Sequence, residues 1–296
     1  MHRNLMLLIN PNAGRGGFKT GLAEALKIMD DGGCRTTLFF TSGPGEATEL
    51  VKQYAMSYDA VACMGGDGTL NEVVSGLVQL PSPPPLGYFP MGTTNDVART
   101  LNLPINDTVS SAMRLINGRP HDFDVGLFGN EKYFAYIAAF GAFTQISYTT
   151  PQDQKKWLGH LAYLLQGSQQ LNKIEAVHTV VEYDGGVIDA DLVYGGMSNS
   201  TSVAGILKLP EQLVCLGDGM SELVLIKNPT KITDLPLMLE SVISQRFDNE
   251  NVLVLHTKKA KFHFDKPVAW TRDGEDGGSH SDVELCNIPR PIRLIF

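Results

Sequence analysis

The first part of the chain alternates short, wholly apolar runs with stretches in which apolar residues return every three or four positions. Leu5–Ile9, Ala60–Met64 and Leu86–Phe89 read as buried strands, and β-branched, aromatic Thr36–Phe40 as another. Between them, Leu22, Ala25, Leu26 and Met29 fall on one helical face, as do Ala47, Leu50, Val51 and Tyr54, then Leu70, Val73, Val74 and Leu77. Such βα alternation predicts a parallel sheet with helices on both faces and a ligand beyond the carboxyl ends of its strands. The glycine clusters fall at those ends.

Near Asp122 the pattern changes to strands: 132–140, 177–183, 187–194, 223–226, 252–256 and 261–264, with helical insertions at 157–171 and 235–243. The expectation is an α/β domain over 1–122, then a mainly antiparallel β domain, a β-sandwich, over 123–287. Residues 288–296 end in an apolar strand that either returns to the first domain or closes the second.

Composition narrows the class. The chain has 296 residues and a formal charge of −8, with 43% hydrophobic residues. This suits a folded globular protein and argues against broad nucleic-acid binding. Cys34, Cys63, Cys215 and Cys286 show no metal-ligand spacing, which fits a reducing cytoplasm. The seven histidines show no zinc-protease spacing either. No run approaches the ~18 apolar residues that span a bilayer, so membrane contact is expected to be peripheral.

Four short motifs carry candidate chemistry. Gly65-Gly66-Asp67-Gly68-Thr69-Leu70-Asn71-Glu72 joins a strand to a helix. Its glycines let backbone approach phosphate, and the helix start offers free N–H groups. Asn10-Pro11-Asn12-Ala13-Gly14 follows the first strand and suits an anion-holding turn. Phe18 stands where a Walker A loop ending at Lys19-Thr20 would need glycine, so that pattern fails. Gly92-Thr93-Thr94-Asn95-Asp96 adds hydroxyls and a carboxylate at the same sheet edge. Asp273-Gly274-Glu275 sets two carboxylates about a glycine, one of which could accept a proton. Taken singly, each motif also fits an ordinary turn or helix cap.

Together and in this order, the motifs resemble the diacylglycerol kinase catalytic-domain family, especially its soluble bacterial lipid kinases, with sphingosine and ceramide kinases as relatives. The resemblance implies an NAD kinase/diacylglycerol kinase-like fold, with nucleotide in a cleft between two domains. It implies Mg2+-dependent transfer of the ATP γ-phosphate to a lipid hydroxyl at the membrane surface, diacylglycerol giving phosphatidic acid. By match to the family's motifs, Asn10, Pro11, Asn12, Ala13, Gly14, Thr41, Gly65, Gly66, Asp67, Gly68, Thr69, Leu70, Asn71 and Thr93 would bind nucleotide. Glu275, supported by Asp273, matches the proton acceptor; Asp67, Asp96 and Asp124 match the acidic network. Asp218, with the carbonyls of Cys215 and Met220, matches a second-domain magnesium site. Glu222 stands where an Asp is frequent, and the interval from Pro210 to Asp218 is longer than usual. Lys155 and Lys156 before Trp157–Leu165 fit an interfacial helix or one packed on the β domain. A symmetric dimer is the default assembly. Two rivals remain: an NAD kinase acting on a soluble hydroxyl, and a non-catalytic nucleotide- or lipid-binding module.

Overall fold

The structure, a computed structural model, describes residues 3–14, 20–141, 176–203, 207–210, 214–231, 234–247 and 250–296. The chain divides into two compact units, one of residues 1–125, 216–218 and 289–296, the other of 126–215 and 219–288.

The first unit is built on parallel strands β1 (Arg3–Ile9), β2 (Cys34–Phe40), β3 (Ala60–Gly65) and β4 (Leu86–Pro90), in the order β4-β3-β1-β2. The end of the last strand, β15 (Glu275–Ile295), lies parallel to β4, pairing Leu294 with Leu86. Strand β1 from Leu5 onward, and β3 and β4 throughout, are buried and largely apolar because both faces are covered. Helices α1 (Leu22–Asp31) and α5 (Thr108–Asn117) pack together on one face, over Leu5, Leu7, Ala62 and Phe89. Helices α2 (Glu46–Tyr54) and α3 (Asp67–Val78) pack against each other, with α3 on β3. The short α4 (Asp96–Thr100) follows β4, and the Asp107 carboxylate caps α5 by accepting the Ser110 N–H at 2.9 Å.

The second unit is antiparallel. It holds β6 (Lys132–Phe134), β7 (Ile137–Gly141), β8 (Val177–Tyr183), β9 (Gly186–Ser198), β12 (Ser221–Lys227), β13 (Val252–Thr257) and β14 (Lys259–Arg272). The early part of β15 pairs with β14, giving the order β13-β12-β9-β7-β14-β15; β8 bonds to both β9 and β14. A minor pair, β10 (Ser202–Val203) with β11 (Leu207–Lys208), stands apart. Strand β5 (Pro120–Phe128) carries the chain from the first unit into the second. One helix, α6 (Asp234–Ser244), is described in this unit. Phe140, Phe262, Phe264 and Trp270 form its aromatic centre, with ring centroids 4.8–6.4 Å apart.

Two expectations need correction. The strand expected over 132–140 is two strands, because the chain between β6 and β7 turns its amides onto the Asp273 carboxylate. The strand expected over 261–264 belongs to the longer β14, whose register with β15 shifts between His263 and Val268. The helix expected at 157–171 lies outside the described residues.

Candidate functional site

Three loops leave the carboxyl ends of β1, β3 and β4, and glycine backbones let them meet. Asn10 ties the first two. Its amide Oδ1 accepts the Asn12 N–H at 3.0 Å, and its Nδ2 donates to Thr69 Oγ1 at 3.0 Å. Gly14 has φ +56°, and a Cβ there would collide with the Met91 carbonyl oxygen. A Cβ on Gly92 would stand 2.6 Å from the Gly66 Cα, so the second and third loops touch backbone to backbone. Thr41, which follows β2, is buried and donates its N–H to the Ile9 carbonyl.

Helix α3 starts at Asp67 behind Gly66, and no side chain caps it. Its first amides and dipole therefore favour an anion. Thr69 and Asn71 are buried, and Asn71 Oδ1 accepts from Ser75 Oγ at 3.5 Å. Leu70 turns its side chain into the core, and its N–H already donates to the Gly66 carbonyl. It presents nothing outward. Pro11 and Ala13 are half-buried, while Asn12, Gly14 and Thr93 are exposed on the loops.

The third loop is closed by Asn95, fully buried with φ +51°. Its Oδ1 accepts the Gly92 N–H at 2.9 Å, and its Nδ2 donates to the Gly92 carbonyl at 2.7 Å. Tyr88 donates its hydroxyl to the same Oδ1 at 3.3 Å. Burial raises the Tyr88 pKa well above its ordinary value, and the charges of Asp67 and Asp96 push it further. Both carboxylates thus bear on one buried hydroxyl.

Among the described residues no three His, Cys, Asp or Glu side chains converge as a metal site. Two carboxylates plus substrate phosphates is, however, the usual provision for magnesium. Asp67 and Asp96 are hard oxygen donors of the kind that pattern uses. Asp218 is exposed in an Asp-Gly turn whose Gly219 has φ +82°, with Cys215 and Met220 close by in sequence.

Asp124 is wholly buried. Its carboxylate accepts the Arg290 N–H at 2.6 Å, and its own N–H donates to the Leu216 carbonyl at 2.7 Å. It therefore ties three separate passages of the chain within the first unit.

The second unit holds the remaining pair. Asp273 and Gly274 are both at positive φ, +48° and +80°, as a two-residue type I′ hairpin turn requires. This turn joins β14 to β15 with Arg272 opposite Glu275. The buried Asp273 carboxylate accepts the N–H groups of Ala135, Tyr136 and Ile137 at 2.6, 3.1 and 3.0 Å. Its lone pairs are engaged by backbone. Glu275, two residues on, is exposed. The turn thus separates a structural carboxylate from an available one.

Sequence reasoning left three residues without a role. Tyr88 is one, the single hydroxyl-bearing ring in the apolar run Leu86–Phe89. Asn95, inside the Gly92–Asp96 motif, is another. Glu72 accepts the Gly45 and Ala47 N–H groups at 2.8 and 3.1 Å, capping α2 from α3. No local signal marks that contact.

Phosphate-ready loops at the carboxyl ends of a parallel sheet, with carboxylates behind them, define a phosphate-handling α/β protein. The diacylglycerol kinase catalytic-domain profile matches residues 4–128. A diacylglycerol kinase of Bacillus subtilis is 32% identical over 291 residues, covering 98% of this chain and 95% of the relative. One from Staphylococcus aureus is 36% identical over 293 residues, covering 99% and 92%. A diacylglycerol kinase structure from Bacillus anthracis superposes with a TM-score of 0.75 at 22% identity, covering 99% of this chain and 97% of that one. An NAD kinase from Archaeoglobus fulgidus in complex with ATP gives 0.56 at 12% identity, covering 99% and 93%. The chain belongs to the diacylglycerol kinase catalytic-domain family, a family of kinases.

Proposed function

We propose that the protein transfers the γ-phosphate of ATP to the hydroxyl of diacylglycerol, forming phosphatidic acid at a membrane surface. The observation that carries the reading is the three-loop cradle, in which Asn10, Thr69, Gly66 and Gly92 lock the loops together. The full-length similarity to diacylglycerol kinases supports the lipid acceptor.

Asn10–Gly14, Thr41, Gly65–Thr69, Asn71 and Thr93 hold the nucleotide, chiefly through backbone N–H groups and the α3 N-terminus, with Leu70 anchoring that helix start in the core. Asp67 and Asp96 would hold magnesium; bound there, the ion offsets the negative charge of the phosphates. Asp218, with the Cys215 and Met220 carbonyls, is proposed as a second magnesium site that stabilises its turn. Glu275 takes the proton of the acceptor hydroxyl. Asp273 holds the hairpin that presents Glu275, and Asp124 holds together the chain passages it bonds within the first unit. Rate acceleration comes mainly from positioning and electrostatics. No helix among the described residues is long and apolar enough to cross a membrane.

The test is transfer from γ-labelled ATP, with magnesium, to mixed micelles carrying diacylglycerol, phosphatidylglycerol or a sphingoid base, and to NAD in parallel. Label on diacylglycerol, lost in Glu275→Gln, is expected. Label on NAD would favour the NAD kinase reading, which the shared fold with the Archaeoglobus fulgidus enzyme keeps specific. ATP binding without transfer would make the protein a binding module.

A further inference from the structure

Tyr88 is the polar exception in the sheet beneath the loops. Its β4 neighbours face the α1–α5 side: Phe89 joins that core, and a Cβ on Gly87 would meet Leu115 of α5. Alternation therefore turns Tyr88 toward the opposite face, beneath the start of α3. It pairs with Cys63 across β3, two residues on from the buried Val61–Leu86 pair. A phenylalanine would fill this place without the cost of burying a hydroxyl. The hydroxyl instead donates to Asn95 Oδ1, and Asn95 grips both sides of the Gly92 peptide. Gly92 in turn rests on Gly66 of the phosphate loop.

The geometry points to Tyr88 as a positioning residue for the nucleotide: its hydroxyl holds Asn95 in its left-handed conformation and so fixes Gly92 against Gly66. The inference rests on the ATP-binding role proposed for these loops and adds a residue on which that role depends. The chain of contacts runs strand, hydroxyl, amide, peptide, loop, and every link is buried or part-buried. A neutral donor is required for it. Burial and two neighbouring carboxylates keep the phenol protonated at any working pH. Loss of the hydroxyl leaves the Asn95–Gly92 bonds but frees Asn95 to move with its loop.

Three variants test this by calorimetry with Mg-ATP, turnover and thermal melts. Tyr88→Phe keeps the ring, and Tyr88→Met fills the space without one. Leu86→Val, on the same strand and face, is the packing control. One buried hydrogen bond predicts about a fivefold loss of ATP affinity and a matching rise in KM for ATP. Both Tyr88 variants should show it, with KM for the lipid unchanged and Leu86→Val retaining wild-type ATP affinity. Wild-type ATP affinity in Tyr88→Phe would overturn the inference. So would an equal loss in the control, since that is what mere destabilisation does. A wild-type protein that binds no nucleotide would instead remove the proposed function, and this inference with it. That result differs because wild type and variants would then be equally inert toward ATP.

Discussion

Asp273 and Glu275 offer the sharpest perturbation, because one turn gives two carboxylates opposite surroundings. In Asp273→Asn, one carboxylate oxygen becomes an NH2 group facing backbone donors. If the amide oxygen keeps Tyr136 and Ile137, then the Ala135 N–H, now at 2.6 Å from a carboxylate oxygen, loses its acceptor and meets a donor. A lost charge-assisted bond is worth about 1.5–3 kcal/mol, and the stranded buried N–H adds about 1–3 kcal/mol. A destabilisation of about 3–5 kcal/mol follows, lowering the melting midpoint by on the order of 10 °C. Glu275 is exposed at the start of β15, so Glu275→Gln should leave the midpoint within ~1 °C, as surface substitutions do. Its turnover should fall by about 10²–10⁴, the range for removing a general base. Thermal melts and γ-phosphate transfer on both variants decide the matter. A stable Asp273→Asn protein without turnover would refute the structural assignment. A Glu275→Gln enzyme at wild-type rate would refute the catalytic one.

Further outcomes follow from the same geometry. Gly92→Ala sets a methyl 2.6 Å from the Gly66 Cα and 2.8 Å from Asn95 Oδ1; ATP affinity should drop at least about tenfold, ~1.4 kcal/mol, by calorimetry. Glu72→Ala strips the cap from α2 and should cost about 1–2 kcal/mol in urea unfolding, with KM for ATP little changed. Burial raises the pKa of Cys63 from its ordinary 9.0 and that of Tyr88 from 10.0. The unfolded chain therefore releases these protons first, and their contribution to stability should be flat below pH 9 and fall above it, by up to about 1.4 kcal/mol per pH unit for each group. Cys63→Ala should remove its part of that slope in urea titrations. Magnesium should raise the melting midpoint of the wild type more than that of Asp218→Ala; equal shifts would remove Asp218 from metal binding.

The parallel strands were legible because both of their faces are covered, leaving unbroken apolar runs such as Leu5–Ile9 and Ala60–Met64. The loops were legible for a related reason. Only glycine allows Gly66 and Gly92 to touch, so close approach writes itself into the sequence. Long-range polar contacts leave no such mark. Nothing local tells that Asp273 bonds backbone some 137 residues away, and so the break between β6 and β7 was missed. Strand β15 was read only at its end, since its 21 residues mix polar and apolar positions and include two prolines. The same limit applies to Asp124, whose partner Arg290 is 166 residues distant.

That contrast bears on how the site is divided. The residues found by motif are those whose backbone must be free to meet phosphate, and they need flexibility at single positions. The residues whose holding contacts only the structure shows, Tyr88, Asn95, Asp273 and Asp124, do the opposite: each removes freedom from a loop or turn by a buried hydrogen bond. Glycine-rich loops are costly to order because glycine loses the most conformational freedom on folding. A cradle made of such loops can be preorganised only if something rigid holds it, and here the holding groups sit on strands and on the residues next to them. A nucleotide that met a loose cradle would have to supply that ordering from its own binding energy, and affinity would fall accordingly. On the proposed function, the motifs mark where phosphate would be met, and the buried polar groups set how much of the binding energy would remain for the transfer step.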